Sequence, residues 1–479
     1  MGSGMQTSRQ RFFDFMSNIN PLLIVFFMCI GFSLLTYIIP GGEFERHSVM
    51  VMGHLREIVI PGSFHRIQSY PQGFFQLWTV FMRGAVEGAE RSFVIMLSAG
   101  ALTAIIATGA ISAGIHALIG KAGRLGVVFI PVIVIAMGLC GATFGMYEEA
   151  IPFILILTPL MLAMGYDSMV AVFILYWGIA IGFACGITNP YNVAIGQAIA
   201  NVPLYSGTWF RVISFLVFMS ITSIAIMRYA HQVRKDPRFS LSREEDMEKR
   251  ARQGTESTGT EEYAMNSRRI LVLILLAIGF GILMRGLMAH AWGFREIGSL
   301  FLWMGIVIPL AGGMSVKTMI EKNIEGMKSV VIAVVMMSAA QILYFILNDA
   351  RILDTILNYF AGYLGKVPEV IVAYVMFGIS ALTAALLGSA SGTAATIMPI
   401  LAPLADVLHF SKQIVVLAFQ FATGAFNFWM PWDGIAFTVC SMAGVKFFKY
   451  IRYTAKFAVL VYFPTALLML LLAVLLKYR

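Results

Sequence analysis

The chain has 479 residues, 59% hydrophobic and only 12% charged, where soluble proteins carry about 25% charged residues. That composition excludes a water-soluble globular protein and points to a polytopic membrane protein. The net charge of +9 is spread over loops between apolar runs, not gathered into a basic patch with interleaved aromatics, so it serves membrane topology and not nucleic acid.

In chain order, Met-Gly-Ser-Gly before Met5 reads as added by cloning and is set aside. Arg9 and Arg11 precede the first apolar run, Pro21–Pro40, which is long enough to cross a bilayer and is followed by many similar runs, so it is not a cleavable signal. Residues 1–20 are then a cytoplasmic N-terminus. Between Gly41 and Gly73 lies a polar stretch with turn signals, which the first span places outside. Later runs include Ile270–His290, Leu300–Gly313 with its flanks, and Ala455–Leu476. The segment from Arg228 to Arg269 carries ten Lys/Arg and eight acids with almost no apolar residues, and reads as a flexible cytoplasmic linker over 229–268. Cys29, Cys140, Cys185 and Cys440 fall in apolar segments at no metal-ligand spacing, and the histidines, His116 among them, form no metal pair.

Two distant regions share an order of parts. EGAERSFVIMLSAGALTAII, from Glu87, resembles EGMKSVVIAVVMMSAAQILYF, from Glu325. GATFGMYEEAIPFILILTPLMLAMG (141–165) corresponds to GSASGTAATIMPILAPLADVLHF (388–410): a small polar tip, then a short apolar helix with proline. GFACGITNPYNVAIG (182–196) corresponds to ATGAFNFWMPWDGIAF (422–437), each an apolar span broken at proline, Pro190 or Pro431. The predicted fold is an all-α membrane protein of two repeats. The first covers 21–228, with a re-entrant hairpin over 127–165 and a broken helix over 168–202. A linking transmembrane helix spans 269–290. The second repeat covers 291–479, with a hairpin over 369–410 and a broken helix over 412–443. Only if 127–165 enters and leaves by one side do the basic segments, Lys121–Arg124, Arg228–Arg269, Lys317–Lys328 and Lys446–Lys456, all face the cytoplasm; the two repeats are then inverted.

Irregular backbone survives in a bilayer only where protein or a wet cavity satisfies its polar groups, so the two tips and two breaks are predicted to meet at one site near the midplane. The first tip offers Thr143, Tyr147, Glu148 and Glu149, acids that suit a cationic group, a proton or Na⁺; adjacent helical residues point about 100° apart, so one glutamate faces the ligand. The second offers Ser389, Ser391, Gly392 and Thr393, hydroxyls and an open helix N-terminus that suit a carboxylate. At the second break, Asp433 is a third acid, where the first break has the neutral Asn192. Trp429 and Trp432 flank it and could stack on a planar cation. Each group has a structural alternative: close helix packing for the small residues, helix capping for the acids, an interfacial belt for the indoles.

FGMYEEAIPF, MGYDSM, IGFACGITNP followed by SGTWFR, and SGTAATIMPILAPLADV followed by VVLAFQF resemble the YfcC family of proposed amino-acid antiporters, within the ion-transporter superfamily of dicarboxylate carriers. The likeness runs from Pro21 to the last span. It implies a homodimer with a scaffold domain and a transport domain that moves across the membrane as an elevator, acting on basic amino acids, arginine/ornithine exchange included, while related carriers take C4-dicarboxylates. It assigns Gly145, Glu148 and Glu149 to the first hairpin, Asn189 and Pro190 to the first break, and Ser391, Gly392 and Thr393 to the second hairpin. MPWDG departs from the family, which has Thr and Ser after that proline. Together these predict a multi-pass carrier in the inner cell membrane that moves a small, basic amino acid by exchange or with H⁺ or Na⁺. Glu148, Glu149, Asn189 and Asp433 are the candidates for the coupling ion, with no cofactor and no metal. The rivals are a dicarboxylate or monocarboxylate carrier, disfavoured because neither tip holds Arg or Lys, and an intramembrane enzyme, for which no HExxH, GxSxG or P-loop pattern is present.

Overall fold

The computed structural model describes residues 21–478 except 52–53, 61, 88, 115–116, 118–128, 257–264, 291, 332–333, 336–341, 343–344, 362–367 and 409. His116, the Lys121–Arg124 segment and the first two positions of the 127–165 hairpin lie outside the described residues.

After helix α1 (Pro21–Ile38) come four short strands, so the chain is mostly helical but not all-α. β1 (Gly42–Glu43) pairs antiparallel with β4 (His65–Arg66), and β2 (Arg46–Val51) with β3 (His54–Val59), Arg46 opposite Val59 and Val51 opposite His54. The segment is too polar for lipid, and its Val and Ile, set among charged residues, satisfy their backbone by pairing across a hairpin. It is tied to the second half of the chain. The Arg46 guanidinium grips both oxygens of the buried Asp354 at 2.9 and 2.7 Å, the Phe44 amide donates to the same carboxylate, and Arg351 pairs with Glu43. Arg83 pairs with Asp349 at 2.6 Å, so Asp349 and Arg351 both serve packing.

Helices α2 (Phe74–Glu87) and α3 (Ala89–Ile106) follow, the second packed against two later helices. Glycines allow that contact: a Cβ at Gly326, in what is α13 below, would lie 2.5 Å from the Ala99 carbonyl oxygen, a distance no side chain tolerates. The next group starts with α4 (Phe129–Phe144), then a 3₁₀ stretch at Glu148–Phe153 that runs straight into α5 (Ile154–Ala163). A broken helix comes next: α6 (Ser168–Val172), a π turn at Phe173–Trp177, α7 (Gly178–Cys185), an irregular stretch, a second π turn at Pro190–Ala194, and α8 (Ile195–Ile199). α7 lies directly on α4, where a Cβ at Gly182 would come within 2.1 Å of the Gly138 carbonyl oxygen. The long α9 (Thr208–Lys235) closes this half.

The linker expected over 229–268 is folded for much of its length. α9 runs on to Lys235, and α10 (Arg243–Glu256) is docked on the membrane body. Its Asp246 is buried and accepts bonds from the Ser168 amide (2.9 Å) and hydroxyl (2.5 Å), from Ser242 Oγ (2.8 Å) and from Lys249 Nζ (2.9 Å). Lys249 also donates to the Ala443 carbonyl at 2.6 Å. The charges that suggest a solvated tail are instead the groups that fasten α10.

The second half contains α11 (Ser267–His290), α12 (Phe294–Ala311), α13 (Val316–Ser329) and α14 (Leu353–Ala361). A second hairpin follows, α15 (Glu369–Leu387) and α16 (Ala390–Val407), then a second broken helix, α17 (Lys412–Asn427) and α18 (Gly434–Ala443), and finally α19 (Phe447–Phe457), a π turn at Ala458–Tyr462 and α20 (Phe463–Leu475). Among the described residues six helical stretches are long and apolar enough to cross a membrane: 168–199, 208–235, 267–287, 294–311, 369–387 and 447–475.

The two broken helices run between the same two faces in opposite senses. The first starts beside α10, at Ser168, and ends at Val202 on a cavity of about 680 Å³ that Ser206, Glu369, Asp406, Lys412 and Lys477 also line. The second starts in that cavity at Lys412 and ends beside α10, at Ala443.

Candidate functional site

At the first tip, α4 ends with carbonyls that have no intrahelical partner, and the first break supplies their donors. The Ile187 and Thr188 amides donate to the Ala142 carbonyl at 2.7 and 3.1 Å, Asn189 Nδ2 to the Gly141 carbonyl at 2.9 Å, and Thr188 Oγ1 to the Thr143 carbonyl at 3.2 Å. Asn189 is fully buried, and its Oδ1 accepts the Tyr191 and Asn192 amides, capping the π turn that Pro190 opens. Gly145 turns the chain at φ +71°, and a Cβ there would strike Tyr191 and Asn189, so the tip and the break are built to one another. Asn192 bridges its own break by donating to the Phe183 carbonyl at 2.7 Å. These two asparagines hold backbone, and their polar atoms are used in doing so.

The glutamates separate as their spacing requires. Glu149 is buried and accepts the Tyr147 amide at 3.0 Å, while Glu148 is half-buried. Thr143 donates one turn back to the Leu139 carbonyl at 2.5 Å. Tyr147 is buried, edge-on to Phe183 and Tyr176, with its hydroxyl 3.3 Å from that of Tyr176.

At the second tip, Gly388 takes φ +60° and Ser389 caps α16 by accepting the Gly392 amide at 3.2 Å. Thr393 is fully buried and donates to the Ser389 carbonyl at 2.7 Å, as the half-buried Thr396 does to the Gly392 carbonyl at 2.8 Å, so both hydroxyls brace the helix. Ser389, Ser391 and Gly392 are half-exposed, with the Ser391 hydroxyl 3.5 Å from that of Ser389. Trp432 donates its indole N–H to the Ala385 carbonyl at 3.1 Å, which joins the second break to the second hairpin. Trp429 packs edge-on against Phe463, with ring centroids 5.9 Å apart.

Asp433 is the N-cap of α18. Its Oδ1 accepts the Ile435 amide and its Oδ2 the Ala436 amide, each at 3.2 Å, and Oδ2 also accepts the Tyr176 hydroxyl. Tyr176 thus joins the first repeat to the second break. A second cross-link is the buried Gln420 of α17, which donates to the Gly186 carbonyl at 3.1 Å beside Gly424, where α17 presses on Ala184. Nothing in an apolar run such as FILYWG distinguishes Tyr176; its π turn, a feature common at functional sites, is visible only in the folded backbone. No group of three His, Cys, Asp or Glu able to hold a metal occurs among the described residues.

Spans of this number, with two interrupted helices and two helical hairpins converging inside them, define a membrane carrier. The chain belongs to the family of C4-dicarboxylate anaerobic carriers, whose profile matches residues 20–475. It is 32% identical over 468 residues, 90% of this chain and 92% of the other, to an Escherichia coli protein named "Putative basic amino acid antiporter YfcC". An uncharacterized protein of Haemophilus influenzae is 28% identical over 400 residues, 83% of this chain and 78% of that one. The Neisseria gonorrhoeae efflux pump MtrF aligns over 96% of both chains with a TM-score of 0.43 and 16% identity. The named relative and the family are transporters, so the enzyme reading falls.

Proposed function

We propose that this carrier moves a small amino acid, with a preference for a basic one, by exchange or with H⁺ or Na⁺ coupling. The observation that carries the reading is a pair of half-buried carboxylates, Glu148 at the first tip and Asp433 at the second break, joined through the contact of Tyr147 with Tyr176 and the bond from Tyr176 to Asp433, at a site whose tips hold no Arg or Lys. In a low-dielectric site two like charges favour a cation between them. The half-exposed first turn of α16, with Ser391, is the complementary place for a carboxylate. The relative's name supports a basic substrate; the family's description supports the second reading, a C4-dicarboxylate, for which acids at a tip and at a break are the wrong charge.

In the same reading the two repeats are inverted, consistent with the opposite run of the two broken helices, α10 is cytoplasmic with the N-terminus, and the carrier works in the inner membrane as a homodimer with an elevator motion. The test is a thermal-shift screen of the purified protein against amino acids and carboxylates, since a ligand that binds only the folded state raises its stability. Arginine, lysine or ornithine should stabilise the wild type, and Asp433→Asn should weaken that binding about tenfold, the weight of one charge-assisted bond, while leaving neutral amino acids almost unchanged. Stabilisation by carboxylates alone would sink the amino-acid reading.

A further inference from the structure

We propose that Tyr176 is a positioning residue of the transport site: its phenol fixes the Asp433 carboxylate and ties it, through Tyr147, to the first hairpin tip. The inference deepens the reading of Asp433 as a group that meets the substrate, and rests on it. Tyr176 is buried in the π turn at Phe173–Trp177, where the widened turn swings its side chain out of the helical register and toward α18. Its ring is held between Tyr147, edge-on with centroids 5.8 Å apart, and Tyr450 at 6.3 Å; Tyr450 is itself anchored by donating to the Phe428 carbonyl at 2.7 Å.

The hydrogen bonds have one direction. A phenol has a single proton, and that of Tyr176 goes to the Asp433 carboxylate, which only accepts. The 3.3 Å contact between the phenols therefore runs from Tyr147 to Tyr176. The Tyr147 amide is in turn held by Glu149, so the chain extends from the first tip to the N-terminus of α18. An ionised carboxylate has about four acceptor positions, and Ile435, Ala436 and Tyr176 fill three of those on Asp433. No other donor to this carboxylate occurs among the described residues, which leaves one position for an N–H of the ligand on the half-exposed side, and the Tyr176 bond fixes where it points. The backbone cap alone would leave the carboxylate in place as a cap but free to turn.

The test uses full-length protein in proteoliposomes with labelled L-arginine as the probe, and infrared difference spectra of the same preparations, in which subtraction of Asp433→Asn picks out the Asp433 bands. Tyr176→Phe keeps the ring and its packing. It should raise the KM for arginine about tenfold while kcat stays within about twofold, the signature of a lost binding interaction. It should also shift the Asp433 bands. Tyr147→Phe removes only the outer bond and should produce the same changes more weakly, and it decides the matter by the same bands if Tyr176→Phe does not fold. Added to Asp433→Asn, Tyr176→Phe should cost nothing further, because its effect passes through that carboxylate. Unshifted bands, or losses that add in the double variant, overturn the proposal. If the wild type carries no arginine, the cationic-substrate reading falls, while the infrared comparison still decides the role of Tyr176.

Discussion

Glu148 and Glu149 are adjacent and chemically identical, and their surroundings differ because neighbouring helical residues point about 100° apart. Glu149 is buried and accepts the Tyr147 amide, whereas Glu148 is half-buried at the same tip. Glu148→Gln should therefore reduce uptake in proteoliposomes more than about tenfold, since it removes the charge and keeps the shape of the side chain. Glu149→Ala should lower stability by about 1 kcal/mol, the worth of one buried cap, before it affects substrate affinity. Full uptake by Glu148→Gln would reduce the pair to helix capping. Sequence alone places both acids at a tip, because charges in an apolar run need a cavity. It cannot choose between them, since the choice depends on where the turn at Gly145 leaves each side chain.

Elements that break an apolar pattern are legible, and elements that obey one are not. The hairpins and broken helices announce themselves through Gly, Pro and hydroxyl residues set in hydrophobic runs, and α4–α5, α6–α8, α15–α16 and α17–α18 lie where those signals stand. α10 is the opposite case. Its composition is that of a solvated tail, and only the fold reveals that Asp246 and Lys249 reach the start of α6 and the end of α18, one from each broken helix, while Lys446 and Lys449 pair with Glu244 and Glu245. Burial pushes the Asp246 carboxyl up, but the bonds from Ser168 and Lys249 outweigh it and hold the group below its ordinary value of 3.8. A carboxyl depressed in the folded state contributes stability above its unfolded value, and that contribution is lost as pH falls through the folded one. The amides of 243–256 should thus lose hydrogen-exchange protection on acidification below the ordinary carboxylate range, before the membrane helices do. Asp246→Asn should remove that step and leave α10 less protected at neutral pH. Protection of α10 that is unaffected by the substitution would show that the Lys446 and Lys449 pairs suffice to dock it.

At the scale of the whole molecule, the opposite course of the two broken helices imposes a condition on the membrane. The stretch 168–199 crosses from α10 toward the cavity lined by Glu369 and Asp406, and α17–α18 crosses back from that cavity to α10. Two segments that each interrupt at mid-course and share a site must leave α10 and that cavity on opposite sides of the bilayer. The basic residues Arg243, Lys249, Lys446 and Lys449 cluster on the α10 side, the face that the proposed function sets toward the cytoplasm by the positive-inside rule. Glu248 of α10 and the exposed Asp406 are suitable reporters, because the four native cysteines lie in apolar helices, three of them buried. In intact cells a membrane-impermeant maleimide should label Asp406→Cys and leave Glu248→Cys unlabelled until the membrane is permeabilised. Labelling of both from the outside would place the two faces on one side, and with that the inverted repeat and the shared midplane site would both fail. Labelling of Glu248→Cys alone would keep the inversion and reverse the orientation, so that the 680 Å³ cavity would open to the cytoplasm.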